Sequence, residues 1–421
     1  MIQVFELLPG VTLRAFPVER FKQGCLSLQF LRPMCREEAA VNALIPAVLL
    51  RGTNNRPDLR AITLHLDDLY GASVGALVRR IGDYQTVGLY CGFIEDRYAL
   101  QGDKILEPMV DFLRELLLEP VMEDGGFCAS FVESEKRNLI ATIGSERNDK
   151  RAYAAAQMLR KMCSADSFGI SRLGEKEQVE QIDPKGAWTH YQEVLRRSPV
   201  EIFYVGGGDL QMLAAKLKEL FSGICRDPVA LPEQSPFRDG GGGDHTEIME
   251  ITQAKLVLGF TTPVTNRQPQ FPAMQVFNAL FGAGMTSKLF MNVREKLSLC
   301  YSIGSGYYGS KGIVTVSAGI DADKESVVRQ QIMEQLEACR EGEISREELA
   351  AAKEAILSSL RSVYDSPGSI EGYETTAAIG GMALTVEQYR AGVEAVTVED
   401  VAKAARSVSL HTSYLLKGVV S

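Results

Sequence analysis

The fold is decided by the stretch Leu256-Val-Leu-Gly-Phe260 together with Asn278-Ala-Leu-Phe-Gly-Ala-Gly-Met285, because the same pattern stands near the start of the chain. There, Leu26-Ser-Leu-Gln-Phe30 precedes Asn42-Ala-Leu-Ile-Pro-Ala-Val-Leu-Leu50. In both places a strand-like stretch leads through a polar loop to an apolar segment that we expect to be a buried helix. The displacement is roughly half the chain, which predicts an internal repeat.

Later elements keep the same order in each half. Residues 86–97 resemble residues 315–324, and each stretch is a strand followed by an acidic turn. The other matching elements are helical patterns over 105–118 and 131–143 against 327–339 and 345–360, and closing strands over 200–205 and 411–419.

A connector rich in proline and glycine separates the two halves. Residues 228–244 contain three prolines and the run Gly240-Gly-Gly-Gly243, a composition typical of a flexible or extended linker. We therefore predict two homologous α+β domains over 1–226 and 246–421, joined by a linker over 227–245. Each domain is expected to be a mainly antiparallel sheet with helices packed on one side. Because each match is short, two unrelated domains remain the alternative.

The composition is that of a globular protein. The 421 residues are 45% hydrophobic and 24% charged, with a net charge of −9, which does not favour a basic surface for nucleic acid. The eight cysteines include no Cys-x-x-Cys pair and are expected to be reduced thiols. The longest apolar run, 43–50, is shorter than the ~20 residues that cross a bilayer, and the first residues do not resemble a signal peptide. We expect a cytoplasmic protein.

Histidine is scarce, which bears on metal chemistry. No His-x-x-Glu-His or His-Glu-x-x-His occurs, whereas a catalytic zinc needs about three protein ligands and an open position for water. Four scattered histidines could still converge in space, but we expect each to be a surface or structural residue. They are His65, His190, His245 and His411.

Two glycine motifs and several carboxylates have structural interpretations. Gly304-Ser-Gly-Tyr-Tyr-Gly309 is followed by a strand, which predicts a hairpin rather than a dinucleotide site. Gly206-Gly-Gly208 precedes a helix but lacks the Lys-Ser/Thr of a P-loop, which favours a strand-to-helix turn over a phosphate site. Asp67, Asp68 and Glu115 are expected on solvated helix faces.

The most specific stretch is Thr286-Ser-Lys-Leu-Phe-Met-Asn-Val-Arg294-Glu-Lys-Leu-Ser-Leu-Cys-Tyr301-Ser302. It resembles a second-domain segment of the pitrilysin/insulinase zinc peptidases, also called inverzincins. The resemblance implies that Arg294 and Tyr301 hold the substrate backbone and stabilise the transition state at a first-domain active site, as hydrogen-bond donors can. The alternatives are a surface Arg294 and a core Tyr301. Ser298 stands where the family has glycine.

The first half lacks the family's metal ligands. Leu50-Arg-Gly-Thr53 resembles the turn that ends the zinc-binding helix, so the His, Glu and His positions fall on Ala43, Pro46 and Ala47. The remaining zinc-ligating Glu falls on Thr142, and Glu135 resembles an acidic residue retained near the site. The resemblance therefore implies no metal or other cofactor in this chain.

Together these features resemble a non-catalytic branch of the family, most clearly at 69–72 and 84–98. The resemblance implies a substrate-binding subunit, a crescent-like half of a peptidase clamshell. A zinc-bearing sister subunit would hold the metal and share an unfolded peptide, with no nucleic acid or membrane involved. A homodimer, or a stand-alone peptide-binding or scaffold protein, is the alternative; the branch is also linked to modification of elongation factor P. A third hypothesis is that the chain is itself an enzyme whose metal ligands the motifs do not show, such as Glu135 together with a distant histidine.

Overall fold

A computed structural model describes residues 2–418 of the chain. The strands are β1 Gln3–Leu8, β2 Val11–Pro17, β3 Gln23–Pro33, β4 Ser73–Ile81, β5 Tyr84–Ile94, β6 Met122–Glu123, β7 Gly126–Phe127, β8 Val200–Gly206, β9 Gly243–Ile248, β10 Ala254–Thr261, β11 Ser302–Tyr308, β12 Ile313–Ile320 and β13 Ser409–Lys417. The predicted end of the closing strand at Val419 lies outside the described residues.

The α-helices account for the predicted amphipathic and apolar segments. They are α1 Arg36–Leu49, α2 Leu59–Asp68, α3 Leu106–Leu118, α4 Ala129–Ser145, α5 Lys150–Met162, α6 Lys176–Glu180, α7 Pro184–Arg197, α8 Leu210–Ser222, α9 Phe271–Asn278, α10 Glu325–Glu341, α11 Arg346–Ser362, α12 Pro367–Ile379, α13 Val386–Ala395 and α14 Val398–Arg406. In the part of the chain that the structure describes, no helix is long and apolar enough to span a membrane.

The first compact unit is built on a six-stranded sheet in the order β1-β2-β8-β3-β5-β4. Its strand pairs are antiparallel except for the parallel pair β2–β8. Alternate residues of β3, namely Leu26, Leu28 and Phe30, enter a core that also contains Leu44 of α1 and Leu113 of α3. This alternation is why the stretch reads as a half-buried strand in the sequence.

The second compact unit repeats this plan with five strands in the order β11-β12-β10-β13-β9. The pair β13–β9 is parallel, as β2–β8 is, and the other pairs are antiparallel. The motif at 304–309 lies in the β11–β12 hairpin, as predicted. The prediction of an α+β fold with mainly antiparallel sheets is confirmed.

The two units are assembled from discontinuous stretches of chain. The first contains the residues up to Gly144, Ile170–Glu233 and Tyr364–Thr376. The second contains Ser145–Gly169, Gln234–Val363 and the residues from Ala377 onward. The predicted domain limits, 1–226 and 246–421, place residues 145–169 in the first domain and residues 364–376 in the second, whereas each of these segments belongs to the other compact unit.

The exchanged segments place a helix on the face of each sheet that lies opposite the main core. In the first unit, Ile370 of α12 packs against Cys25 and Val205, on the face opposite the main core. In the second unit, α5 brings Met158 and Met162 against Gly259, where an added Cβ would lie 2.6 and 2.7 Å from their sulfur atoms. Each sheet therefore has helices on both faces and not on one side as predicted, because segments distant in sequence cover the second face.

Candidate functional site

Arg294 lies at the surface of the second unit. It belongs to Leu289–Lys296, a segment wound as a π-helix, and its guanidinium stacks 4.6 Å from the centre of the Phe290 ring. Its Nε is 3.7 Å from Glu295 Oε1, and 39% of the side chain is exposed. The stacking limits where the guanidinium can point while leaving its donors accessible.

Tyr301 precedes β11 and is 60% exposed, which excludes the alternative that it packs in the core. Its hydroxyl donates to Asp321 Oδ1 at 3.0 Å. Lys324, 2.9 Å from Asp321 Oδ2, and the Tyr301 hydroxyl both hold the pKa of the Asp321 carboxyl below its usual range. The same hydrogen bond raises the pKa of the Tyr301 phenol, so the phenol is a protonated donor at neutral pH.

Arg294 and Tyr301 lie at the two ends of one backbone turn. The Ser298 N–H donates to the Arg294 carbonyl at 3.1 Å, and the Leu299 N–H donates to Val293, also at 3.1 Å. Ser298 has φ +51°, a left-handed conformation that favours glycine. The serine therefore holds this conformation at a cost of about 1–2 kcal/mol.

The positions that correspond to zinc ligands cannot bind a metal. Ala43 and Pro46 are buried in α1 and Ala47 is half-buried, and their side chains offer no donor atom. Thr142 is exposed on α4 and donates its hydroxyl to the Asn138 carbonyl at 2.9 Å. Over residues 2–418, no group of three or more His, Cys, Asp or Glu side chains is arranged to hold a metal ion. The residues present do not fit the zinc of the family, and the absence of a cofactor stays a prediction.

Glu135 has a structural partner. Arg51 Nη1 lies 3.3 Å from Glu135 Oε1, and the Asn138 amide donates to Oε2 at 3.1 Å. The Glu135 side chain is 11% exposed, and the Arg51 guanidinium also lies 5.6 Å from the Phe131 ring. The Arg51 guanidinium therefore compensates the charge of this nearly buried carboxylate.

A hydrogen-bonded network occupies the helix face beside the degenerate positions. His190 Nε2 lies 2.7 Å from Asn42 Oδ1, and the Asn42 amide donates to Gln85 Oε1 at 3.0 Å. Burial lowers the pKa of His190, which favours the neutral ring at neutral pH. His190 is thus a structural histidine. Asn42, an apparent part of an apolar run, gave no signal of this network in the sequence.

Gly206-Gly-Gly208 forms a turn whose donors are already used. The Gly208 N–H donates to the Tyr204 hydroxyl at 2.8 Å, and the buried Glu95 carboxyl lies beside the turn, where the backbone of Gly207 acts to lower its pKa against the larger effect of burial. A Cβ at Gly206 would lie 2.2 Å from Glu95 Oε1, which explains the need for glycine. Since a carboxylate of the chain takes the place of an anion, the structure favours the turn and not a phosphate site.

The expectation for Glu115 was wrong. Glu115 is 8% exposed and accepts hydrogen bonds from the Thr53 hydroxyl and the Arg56 guanidinium. The sequence places it on an amphipathic helix, but both donors come from the loop between α1 and α2. The carboxylate is therefore buried with its partners and is not solvated.

Comparison with known proteins shows which fold the chain shares. The family model described as the Peptidase M16 inactive domain matches residues 185–356. A crystal structure described as the peptidase M16 inactive domain from Pseudomonas fluorescens has a TM-score of 0.80 at 16% identity, covering 100% of this chain and 99% of that chain. The chain has the M16 peptidase fold.

Two relatives are similar over nearly their whole length. The probable inactive metalloprotease YmfF of Bacillus subtilis is 29% identical over 409 residues, which are 97% of this chain and 96% of the relative. The crystal structure of a conserved protein from Enterococcus faecalis V583 has a TM-score of 0.92 at 27% identity and covers 100% of this chain and 99% of that one. These findings confirm the resemblance to the pitrilysin/insulinase-like zinc peptidases, in the non-catalytic branch that resembles YmfF.

Proposed function

We propose that this non-catalytic chain is the substrate-binding subunit of a two-chain zinc peptidase, in which Arg294 and Tyr301 complete the active site of a zinc-bearing sister subunit. The observation that carries the proposal is a contrast within one chain. The zinc positions hold Ala43, Pro46 and Ala47, whereas the two donor side chains are intact and exposed.

The chemistry of the two donors supports this role. A guanidinium and a protonated phenol can donate hydrogen bonds to a peptide carbonyl and to the oxyanion that develops on it during hydrolysis. Phe290 restrains the guanidinium. The single O–H of Tyr301 donates to Asp321, so on this proposal Tyr301 exchanges that hydrogen bond for one to the substrate. The chain's residues would therefore bind and orient the peptide, while the sister subunit would supply zinc as the Lewis acid.

The same fold also occurs in a multisubunit assembly. A chain of Complex III2 from Candida albicans has a TM-score of 0.72 at 14% identity, covering 97% of this chain and 94% of that chain. This likeness concerns the fold alone, but it is consistent with a protein that works beside other subunits.

Capture of the partner tests the proposal. The tagged full-length chain is purified from its native cells, and the bound proteins are identified by mass spectrometry. We expect a chain of similar size that carries His-x-x-Glu-His, and we expect zinc and peptide hydrolysis only when the two chains are combined. Stoichiometric zinc with hydrolysis by the single chain would overturn the proposal. Peptide binding without any such partner would favour the stand-alone scaffold instead.

A further inference from the structure

The Tyr301 hydroxyl is held by a carboxylate of the chain itself. It has one proton, which it donates to Asp321 Oδ1 at 3.0 Å, and the same proton cannot be donated to a substrate at the same time. Tyr301 is 60% exposed, so this contact lies at the surface of the second unit. In the free chain the phenol is therefore accessible but already engaged.

The place of Asp321 in the chain would ordinarily give its carboxylate another task. Asp321 precedes the 3₁₀ turn Ala322–Lys324, and an aspartate at the start of a helical turn usually accepts backbone N–H groups of that turn. In the described part of the chain, its carboxylate makes no such cap. Oδ1 instead accepts from Tyr301, and Oδ2 lies 2.9 Å from Lys324 Nζ. The carboxylate is therefore shared between a phenol and an ammonium group.

Lys324 and Tyr301 act on the same negative charge. Both hold the pKa of the Asp321 carboxyl below its usual range, because both stabilise its charged form. Asp321 raises the pKa of the Tyr301 phenol, whereas the charge of Lys324 acts to lower it. The Lys324 and Asp321 side chains are 40% and 41% exposed, so their ion pair is weak. The strength of the phenol contact thus depends on how much of the carboxylate charge Lys324 compensates.

The backbone of Tyr301 is fixed next to this contact. The Tyr301 N–H donates to the Gly319 carbonyl at 2.8 Å, beside Ser302 and Gly319, which form the first pair of the β11–β12 ladder. Rotation about the side-chain bonds alone can therefore move the hydroxyl from Asp321 to another acceptor. No rearrangement of the sheet is needed for this exchange.

We propose that Asp321 is a positioning residue that holds Tyr301 at rest in the free chain and releases it to the substrate; this inference rests on the function proposed above for Tyr301. The hydrogen bond to Asp321 must break before the phenol donates to a substrate oxygen, so the contact lowers the activity. Lys324 weakens the contact because it shares the charge of Asp321. Removal of Asp321 and removal of Lys324 should therefore have opposite effects.

The resting contact is tested on the free full-length chain. Its tyrosines are replaced by 3-fluorotyrosine, whose phenol titrates at a lower pH than that of tyrosine, and the rings are followed by ¹⁹F NMR. The signal of residue 301 is the one missing from Tyr301→Phe. We expect Asp321→Ala to lower the pKa of this phenol and Lys324→Ala to raise it. Asp323→Ala removes an exposed carboxylate two residues further on and is the matched control. If it shifted the pKa as much as Asp321→Ala does, the contact would be disproved.

The release is tested by steady-state cleavage of a quenched fluorescent peptide by the two-chain complex. Asp321→Ala should raise kcat/KM about threefold to tenfold, the range expected of one exposed hydrogen bond. Lys324→Ala should lower kcat/KM, and Asp323→Ala should leave it nearly unchanged. In the Tyr301→Phe background, neither Asp321→Ala nor Lys324→Ala should change kcat/KM, because both act through the phenol.

The two experiments distinguish failure of this proposal from failure of the function proposed for Tyr301. If Tyr301→Phe lowers turnover but Asp321→Ala leaves kcat/KM unchanged, or changes it equally in the Tyr301→Phe background, the role of Asp321 is overturned and that of Tyr301 stands. A loss of activity in Asp321→Ala that disappears in the Tyr301→Phe background also overturns it, because Asp321 would then orient the phenol for the reaction. If Tyr301→Phe itself leaves turnover unchanged, the function proposed for Tyr301 fails, and the role of Asp321 fails with it even where the free chain shows the contact.

Discussion

Lys311 and Asp166 form an ion pair in the interior of the second unit. Lys311 Nζ lies 2.9 Å from Asp166 Oδ1, and the two side chains are 0% and 1% exposed. Asp166 also accepts the N–H groups of Phe168 at 2.8 Å and Arg238 at 2.9 Å. The pair thus joins the β11–β12 turn to the exchanged segment at 145–169 and to the linker.

Removal of one partner of this pair should strongly destabilise the protein. Lys311→Met leaves the Asp166 carboxylate buried without its cation, so the free energy of unfolding should fall by about 3–5 kcal/mol. Urea denaturation followed by circular dichroism measures the change. Arg361→Ala, which breaks the exposed Arg361–Glu354 pair, is the matched control and should cost at most about 1 kcal/mol. If the two variants lost equal free energy of unfolding, burial of the Lys311–Asp166 pair would not make its removal more costly than removal of an exposed pair.

Ser298 offers the opposite kind of change. Because its φ is +51°, Ser298→Gly should relieve strain and raise the free energy of unfolding by about 0.5–1 kcal/mol. The control is Ser358→Gly on the exposed face of α11, where glycine should instead cost about 0.5 kcal/mol. Both are measured by urea denaturation. A loss of stability in Ser298→Gly would mean that the serine side chain, and not the backbone conformation, governs this turn.

The buried Glu95 predicts a pH-dependent stability. Burial raises the pKa of its carboxyl above the usual range. A carboxyl whose pKa is higher in the folded than in the unfolded state stabilises the fold most at pH values below its unfolded-state pKa. This stabilisation is lost as the pH rises through the folded-state pKa. Glu95→Gln removes the buried charge, so it should stabilise the protein at pH 7 by more than it does at pH 4. Urea denaturation at pH 4, 5, 6 and 7 tests this, and a difference between the two proteins that is constant over these pH values would contradict it.

The repeated core of the fold was predictable, because it rests on local periodicity. The alternation in Leu26–Phe30 and the apolar run Leu256–Phe260 both indicate buried strand segments, and both lie in inner strands of their sheets. The docking of α12 was not predictable. Ser27 in β3 looks like a solvent-facing residue, yet its hydroxyl donates to Glu371 at 2.6 Å, and Arg79 donates to the same carboxylate at 2.9 Å. No local signal indicates a partner more than 300 residues away along the chain.

The candidate site shows the same division. The spacing between Arg294 and Tyr301 could be read from the sequence, because the turn that joins them is local and closed by its own backbone hydrogen bonds. The pairing of Glu135 with Arg51 could not, since it depends on how α4 packs against the end of α1. Local geometry is encoded in neighbouring residues, whereas buried charge pairs depend on tertiary packing.

The role proposed for the Arg–Tyr segment leads to a kinetic prediction for the reconstituted pair. On that proposal, Arg294→Ala and Tyr301→Phe each remove a donor to the developing oxyanion, so kcat for peptide cleavage should fall by about 10²–10³-fold. Neither change should affect stability by more than about 0.5 kcal/mol, because the Tyr301 side chain is mostly exposed, the Arg294 side chain is partly exposed, and both lie outside the core. The measurement is steady-state cleavage of a quenched fluorescent peptide by the purified two-chain complex.

Two matched controls separate this role from a general disturbance of the surface. Lys296→Ala removes an exposed cation two residues from Arg294, and Tyr98→Phe removes a phenol hydroxyl from a partly exposed tyrosine in the first unit. Both should leave kcat unchanged, because neither side chain belongs to the proposed site. If Arg294→Ala lowers turnover no more than Lys296→Ala does, the positive charge of this segment acts only through long-range attraction. In that case raising the ionic strength should abolish the effect of both substitutions, because exposed charges are screened within about 8 Å at physiological salt. A loss confined to Arg294→Ala that persists at high salt is the result expected of a direct hydrogen-bond donor.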